Sequence, residues 1–100
     1  MALPLSGIRV LDLTNVLAGP YCSMVLGDMG ADVIKIENAD TGDTSRNFEP
    51  QVNGESYCFA VLNRNKKSVA LNLKDPDGLK IALTLASKAD IILENFRPGV

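Results

Sequence analysis

Four short runs of branched and apolar residues stand out in the hydrophobic pattern of the chain. Each is six residues long, which is typical of a strand and too short for most helices, and turn-forming or polar residues bound each run. The predicted strands are residues 8–13, 32–37, 68–73 and 89–94. Their mostly continuous apolar character is typical of strands that are buried on both faces, as in a parallel sheet.

Two stretches between these runs place apolar residues at helical spacing. The first predicted helix covers residues 20–29, because Pro20 suits a first turn and Gly30 suits the left-handed position after a helix end. Its apolar stripe is Cys22, Val25, Leu26 and Met29. The second covers residues 76–88, with Asp75 as its N-cap. Its apolar stripe is Leu79, Ala82, Leu83 and Ala86, widened by Ile81 and Leu85.

The order of these elements is β-α-β-loop-β-α-β, which predicts an α/β domain with a parallel sheet. Residues 38–55 are polar and rich in turn formers, so they predict a long excursion, and residues 56–62 are either a short helix or irregular. Parallel strands need cover on both faces, and so few helices cannot cover four strands. We therefore expect residues 1–100 to be the N-terminal part of a larger domain.

Composition and charge narrow the possible functions. A net charge of −2 does not favour wholesale binding to nucleic acid or to a membrane surface, and the longest apolar run is too short to span a bilayer. Residues 1–7 show no leader pattern, so we expect a cytoplasmic protein. Cys22 and Cys58 lack any histidine partner, which excludes a Cys/His zinc site or a Cys–His pair within these residues. We expect no metal, and reduced cysteines that fill small apolar gaps.

Ligands of open α/β sheets bind beyond the carboxyl ends of the strands. Four segments are expected there: residues 14–19, the loop after Glu37, residues 73–75 and residues 95–99. A dinucleotide site needs G-x-G-x-x-G in the first of these, but this chain has one glycine and a bulky Leu17 there. NAD binding is therefore disfavoured, and Glu37 is expected to be a solvated charge at a strand end.

Charged side chains offer two further candidate sites. One group of basic residues is able to meet phosphates, although a solvated turn is the simpler interpretation of its first three members. The group is Arg64, Lys66, Lys67, Lys74 and Arg97. Asp12, Asp28 and Asp32 are possible catalytic carboxylates, but each lies in or beside a regular element, so structural or solvent-facing roles are the better interpretation.

Several separate motifs occur in a consistent order along almost all of residues 3–100. They are PLSGIRVLDLT at 4–14, AGP at 18–20, LGDMGADVIKIE at 26–37, GD at 42–43 with Arg46, NRNKKS at 63–68, LNLKDP at 71–76 and ENFRPG at 94–99. Together they resemble the opening of the class III coenzyme A (CoA) transferases, the CaiB/BaiF family. The resemblance is closer to the dicarboxylate-type transferases than to the racemase of the same family.

The resemblance implies a fold, an activity and an assembly. It implies that residues 1–100 begin a large Rossmann-like domain, with the rest of that domain and a small domain lying outside them. It implies CoA transfer from an acyl-CoA to a free carboxylic acid, in an interlocked homodimer. The nucleophile in this family is an aspartate that attacks the thioester and forms a mixed anhydride, and its position falls beyond residue 100, so no catalytic residue is expected here.

What carries over to these residues is contact with CoA. The cofactor-binding positions implied by the resemblance are Leu17, Ala18, Asn38, Leu71, Asn72, Leu73, Lys74, Asn95, Phe96 and Arg97. Some family members have a basic residue in place of Asn38, and formyl-CoA transferases have a histidine in place of Asn15. Asn15 is thus the expected substrate-binding position, and it disfavours formate or oxalate as a substrate.

Two alternatives remain open at this point. One is an α-methylacyl-CoA racemase-like enzyme on the same fold, which needs a His/Asp acid–base pair from outside these residues. The other is a non-catalytic module that binds CoA or a nucleotide and consists of this chain alone.

Overall fold

A computed structural model describes residues 2–100 and contains the predicted succession of elements. In chain order they are β1 (Arg9–Asp12), α1 (Ala18–Asp28), β2 (Asp32–Asn38), a 3₁₀ turn (Thr44–Asn47), β3 (Gln51–Val52), β4 (Glu55–Ser56), α2 (Tyr57–Leu62), β5 (Lys66–Leu71), α3 (Pro76–Ser87) and β6 (Ile91–Leu93). The segment left open in the sequence analysis is the helix α2, which begins after Ser56, whose hydroxyl accepts from the Phe59 N–H.

Four strands form one parallel sheet in the order β5-β2-β1-β6, which confirms the predicted α/β class. The longest pairing runs between β2 and β5, from Val33 opposite Lys66 to Asn38 opposite Leu71. The excursion between β2 and α2 carries the 3₁₀ turn and a small antiparallel hairpin of β3 and β4. All four predicted strands therefore exist, and their carboxyl ends share one edge of the sheet.

Strand β5 begins two residues earlier than the predicted strand at 68–73. The sequence pattern predicts a basic turn at Lys66 and Lys67, but both residues lie in the strand. The side chain of Lys66 is buried against Asp12, whereas Lys67 points to the other face, toward Asp32. A lysine pair looks like a turn in sequence because nothing local shows that one member has a buried carboxylate partner.

The two faces of the sheet carry separate apolar cores. On the α1 face, Val10, Ala31 and Val33 are buried with Leu26 and Leu93 against them. On the α3 face, the buried residues are Leu11, Ile36 and Ala82. Helices on both faces agree with the requirement of a parallel sheet for cover on both sides.

The predicted apolar stripe of α1 is partly wrong: Leu26 packs against the core as expected, but the buried face is shifted by about one position. The helix buries Pro20, Ser23, Met24 and Gly27, whereas Cys22 and Met29 are exposed. Gly27 faces β2, and a Cβ added there would lie at ordinary contact distance, 3.5 Å, from the Val33 side chain. Cys22 is therefore not the apolar filler that the sequence analysis expected, and Cys58 is only partly buried.

Helix α3 leaves much of its apolar stripe open. Ala82 is buried, but Leu79 and Ile81 are about half exposed and Leu83 is 62% exposed. Ile92 of β6, at the edge of the sheet, is also exposed. No helix among residues 2–100 is long and apolar enough to cross a membrane.

Candidate functional site

Two clefts open at the carboxyl edge of the sheet. The larger, of about 610 Å³, lies at the ends of β2 and β5. The smaller, of about 560 Å³, lies between the loop after β1 and the segment after β6. Asn15, Phe96 and Val100 line both, so the two clefts adjoin.

The structure brings together every residue predicted to bind cofactor or substrate. The larger cleft is lined by Asn15, Asn38, Leu71, Asn72, Leu73, Lys74 and Phe96. The smaller is lined by Asn15, Leu17, Ala18, Asn95, Phe96 and Arg97. These residues come from four separate segments of the sequence, and the fold collects them at one edge. Their contact with a ligand stays a prediction.

Two asparagines of the larger cleft are partly engaged by their own loops. The Asn38 side-chain oxygen accepts from the backbone N–H groups of Asp40 (2.8 Å) and Thr41 (3.3 Å). The Asn72 side-chain oxygen accepts from the Lys74 N–H at 3.0 Å. Each amide nitrogen is left as a hydrogen-bond donor at the cleft.

The five basic residues that were candidates for phosphate binding fall into two groups. Arg64 Nη2 lies 2.7 Å from Asp28 Oδ2, and Lys66 Nζ lies 3.2 Å from Asp12 Oδ2. Both basic residues lie at the amino end of β5, away from the clefts, as does Lys67 beside Asp32. Asp12 is thus buried in an ion pair, whereas Asp28 and Asp32 form more exposed ion pairs.

Lys74 and Arg97 form the second group, and each lines one of the clefts. Within residues 2–100, neither cation has a carboxylate within ion-pair distance. Of the five candidates for phosphate binding, these two are therefore the ones at the carboxyl edge without a partner in the described part of the chain.

A buried ionic layer, defined as Asp12, Lys35, Glu37, Asp43 and Lys66, adjoins the larger cleft, which is lined in part by Lys35, Glu37 and Asp43. The sequence pattern does not indicate this layer. Lys35 is opposite both Asp12 of β1 and Ser68 of β5, so their side chains share the α1 face. Lys35 Nζ lies 2.8 Å from Asp43 Oδ2, and both side chains are 1% exposed. Buried charges of this kind require paired partners.

Burial by itself would raise the pKa of both aspartates in this layer, but other contacts reverse the shift. Hydrogen bonds from Ser23 and Thr14 and the charge of Lys66 outweigh burial at Asp12, so its pKa lies below its ordinary value. Hydrogen bonds from Lys35 and Ser45 do the same for the pKa of Asp43. Burial lowers the pKa of Lys66, even though Asp12 opposes this shift.

Glu37 is buried, which corrects the expectation of a solvated strand-end charge. Arg46 Nε and Nη2 each lie 2.7 Å from one of its carboxylate oxygens, and Ser68 also donates to it. The hydrogen bond from Arg46 is the largest cause that lowers the pKa of Glu37 to about 2, from an ordinary value of 4.5. Arg46 in turn stacks on Phe59, 3.8 Å from the ring centroid.

We expect Arg46→Met to lower the free energy of unfolding by about 2 kcal/mol at pH 6. A pKa lowered from 4.5 to about 2 stabilises the fold fully above pH 4.5, and this stabilisation is lost as pH falls toward 2. The figure allows for solvent screening, because Arg46 is about half exposed. Urea unfolding from pH 2.5 to 6 measures the difference between the two proteins, which should shrink steadily with acid.

Arg9→Met is the matched control for this prediction. Arg9 forms an exposed pair with Asp32 at 3.9 Å, so its loss should change stability little at any pH in that range. A difference for Arg46→Met that stays constant with pH would contradict the assignment of this stabilisation to Glu37.

The loop after β1 is held from two sides. The Asn95 side chain accepts from the Asn15 N–H (3.1 Å) and donates to the Asn15 carbonyl (2.9 Å). The Asn15 side-chain oxygen accepts from the Thr44 N–H at 3.1 Å, and the Val16 N–H donates to Asp43 Oδ1 at 3.1 Å. Both polar atoms of the Asn95 side chain therefore form hydrogen bonds with the loop, and Asn95 positions the neighbouring residues of the cleft.

The family described as CoA-transferase family III matches residues 5–100 of this chain. The chain belongs to CoA-transferase family III. This agrees with the resemblance drawn from the motifs at 4–14, 26–37 and 71–76.

Individual relatives of this family III chain include two curated transferases. It is 54% identical over 97 residues to a succinyl-CoA:glutarate CoA-transferase of Mus musculus, covering 96% of this chain and 22% of the relative. It is 47% identical over 97 residues to an acetyl-CoA:oxalate CoA-transferase of Acetobacter aceti, covering 97% of this chain and 25% of the relative. The chain therefore spans about a quarter of the length of these relatives.

A solved structure of a CaiB/BaiF family protein from Brucella suis has the same fold. It superposes with a TM-score of 0.91 at 36% identity, over 99% of this chain and 27% of that one. The family III chain thus folds like the corresponding quarter of this relative.

Proposed function

We propose that the intact protein transfers CoA from an acyl-CoA to a free dicarboxylic acid, and that this chain supplies part of the CoA-binding surface. The observation that carries the proposal is the meeting of four separate segments in two adjoining clefts. Lys74 and Arg97 line these clefts and have no carboxylate partner among residues 2–100. CoA is a long molecule with phosphates at its nucleotide end. Two adjoining clefts suit its length, and two cations suit its phosphates.

The orientation of CoA follows from the chemistry of the two clefts. The nucleotide end belongs at Leu71–Lys74, where the backbone after β5 offers hydrogen bonds and Lys74 offers a charge. The loop after β1 then faces the remainder of the cofactor, with Leu17 as an exposed apolar contact. Asn15, which lines both clefts, lies near the point where the acyl group or acceptor acid would be held.

The nucleophile that we propose is an aspartate from outside residues 1–100. Its carboxylate would attack the thioester carbonyl, expel CoA as thiolate and form a mixed anhydride, as the family resemblance implies. The buried carboxylates Asp12, Glu37 and Asp43 are unsuited to this step. Each is almost fully buried, is paired with a cation and has a lowered pKa, so each is a weak nucleophile.

A dicarboxylate acceptor is supported by the relatives, whose names specify glutarate and oxalate. The greater identity to the glutarate enzyme, and Asn15 in place of a histidine, favour the longer acid. We also propose an interlocked homodimer in the cytoplasm, as the family resemblance implies. The exposed apolar residues of α3 would be covered by further segments or by a partner subunit.

Liquid chromatography with mass detection tests this function in the intact protein. With succinyl-CoA and glutarate we expect glutaryl-CoA and free succinate, and slower turnover when oxalate replaces glutarate. A 2-methylacyl-CoA incubated in D₂O should gain no deuterium. Deuterium at the α-carbon without CoA exchange would establish the racemase alternative, and CoA binding with neither reaction would establish the non-catalytic module.

A further inference from the structure

Val16 has a backbone conformation that its side chain disfavours. Its φ is +74°, in the left-handed region that glycine adopts freely and that a β-branched residue almost never enters. The residue directly precedes Leu17 and Ala18, which line the smaller cleft. Such a conformation persists only where the surroundings hold it in place.

Asp43, which is paired with Lys35, contacts the backbone of Val16 directly. Asp43 Oδ1 accepts from the Val16 N–H at 3.1 Å, while Asp43 Oδ2 lies 2.8 Å from Lys35 Nζ. Lys35 Nζ also donates to the Thr14 carbonyl at 2.9 Å. The pair therefore forms hydrogen bonds with the loop on both sides of Asn15.

Asp43 is itself fixed by further hydrogen bonds. Its Oδ1 accepts from the backbone N–H (2.9 Å) and the hydroxyl (2.8 Å) of Ser45, and its own N–H donates to Glu37 Oε1 at 2.9 Å. Burying two charges is costly, and an apolar pair of similar size often serves the fold equally well. The contacts of this pair with the loop after β1 point to a role beyond packing.

We infer that Lys35 and Asp43 are positioning residues that hold Val16 in its left-handed conformation, and so present Leu17 and Ala18 to CoA in advance of binding. The inference rests on the proposed function. Without the hold, Val16 would relax in the free protein, and CoA would have to select the minor, competent conformation. The apparent affinity would then fall in proportion to the population of that conformation.

The test compares two neutral replacements of the pair in the intact protein. Lys35→Met with Asp43→Asn keeps an acceptor for the Val16 N–H, whereas Lys35→Met with Asp43→Leu removes it. Asn and Leu have similar size and shape, and neither double variant leaves a buried charge unpaired. Each is made with Val16 and again with Val16→Gly, because glycine adopts the left-handed conformation without strain.

Calorimetric titration with CoA gives the four affinities. With Val16, the Leu variant should bind CoA about tenfold more weakly than the Asn variant, as expected for release of one strained residue. With Val16→Gly, the two should agree within about threefold, because the conformation no longer needs a hold. The inference would be overturned if the Leu variant bound CoA more weakly than the Asn variant by the same factor with Val16 and with Val16→Gly. That result would show that Asp43 serves only the fold.

A second measurement uses the unsubstituted protein. Hydrogen exchange at the Val16 amide should be slow before CoA is added, because Asp43 already accepts from it. An unprotected Val16 amide that becomes protected only with CoA would equally overturn the inference. If the unsubstituted protein binds no CoA at all, it is the proposed function that fails. Slow hydrogen exchange at the Val16 amide would still show that Asp43 restrains Val16.

Discussion

Lys66→Met is expected to lower the free energy of unfolding by about 3 kcal/mol, measured by urea unfolding with an unchanged m-value. The Lys66 side chain is 2% exposed, and its Nζ lies 3.2 Å from Asp12 Oδ2. It also donates to the carbonyl of Pro20 (3.0 Å) and to the side chain of Asn63 (2.8 Å). Its removal leaves the Asp12 charge buried without a cation, which is the costly way to break a buried pair.

Lys67→Met is the matched control, because Lys67 is the next residue of the same strand. Its side chain is 77% exposed and lies 3.4 Å from Asp32 Oδ1, so its loss should change stability by no more than about 0.5 kcal/mol. Adding Asp12→Asn to Lys66→Met should restore part of the loss, because no unpaired charge is then buried. If the two lysine substitutions lowered the free energy of unfolding equally, the buried pair of Lys66 and Asp12 would contribute no more to stability than an exposed pair.

Lys74→Ala and Arg97→Ala are each expected to weaken CoA binding by roughly ten- to a hundredfold in the intact protein. A charge-assisted hydrogen bond to a phosphate contributes about 1.5–3 kcal/mol, and both cations lack a carboxylate partner among residues 2–100. Calorimetry at two salt concentrations measures the effect, which should diminish with added salt.

Lys80→Ala is the control for these two substitutions. Lys80 lies on α3, is exposed and lines neither cleft, so CoA affinity should be unchanged. All three changes affect exposed side chains and should leave the melting temperature nearly unaltered. Unchanged affinity for both Lys74→Ala and Arg97→Ala would remove these residues from the CoA site.

The sheet and its two main helices follow from local signals in the sequence. Runs of branched residues mark the strands, and Asp75 with Pro76 marks the start of α3, where the Asp75 side chain accepts from the Asp77 N–H. A βαβ order then leaves parallel pairing as the natural arrangement. These features depend on neighbours in sequence, which is why a single sequence suffices to predict them.

The ionic layer does not follow from local signals. Lys35 and Glu37 sit in a strand where they resemble the polar half of an alternating pattern. Their burial depends on Asp43 and Arg46, which lie in an excursion that looks merely polar in sequence. The shifted stripe of α1 has the same origin, because Ser23 faces the sheet to donate to Asp12. Partners far apart in the fold decide both features.

The candidate site was predicted by family motifs more than by residue chemistry. The resemblance selected residues such as Leu17 and Asn95, and the fold then placed all of them at one edge. It gave no indication that Asn95 supports Asn15, or that Asp43 holds Val16. These supports lie between segments about 30 to 80 residues apart, so only the folded chain reveals them.

The central claim is that CoA lies along the carboxyl edge of this sheet, and a crystal structure of the intact protein with bound CoA tests it most directly. We predict a cofactor that spans both clefts, with phosphate oxygens within hydrogen-bond distance of Lys74 or Arg97 and with Leu17 and Ala18 against it. CoA bound at another face of the domain, with the two clefts unoccupied, would contradict the account.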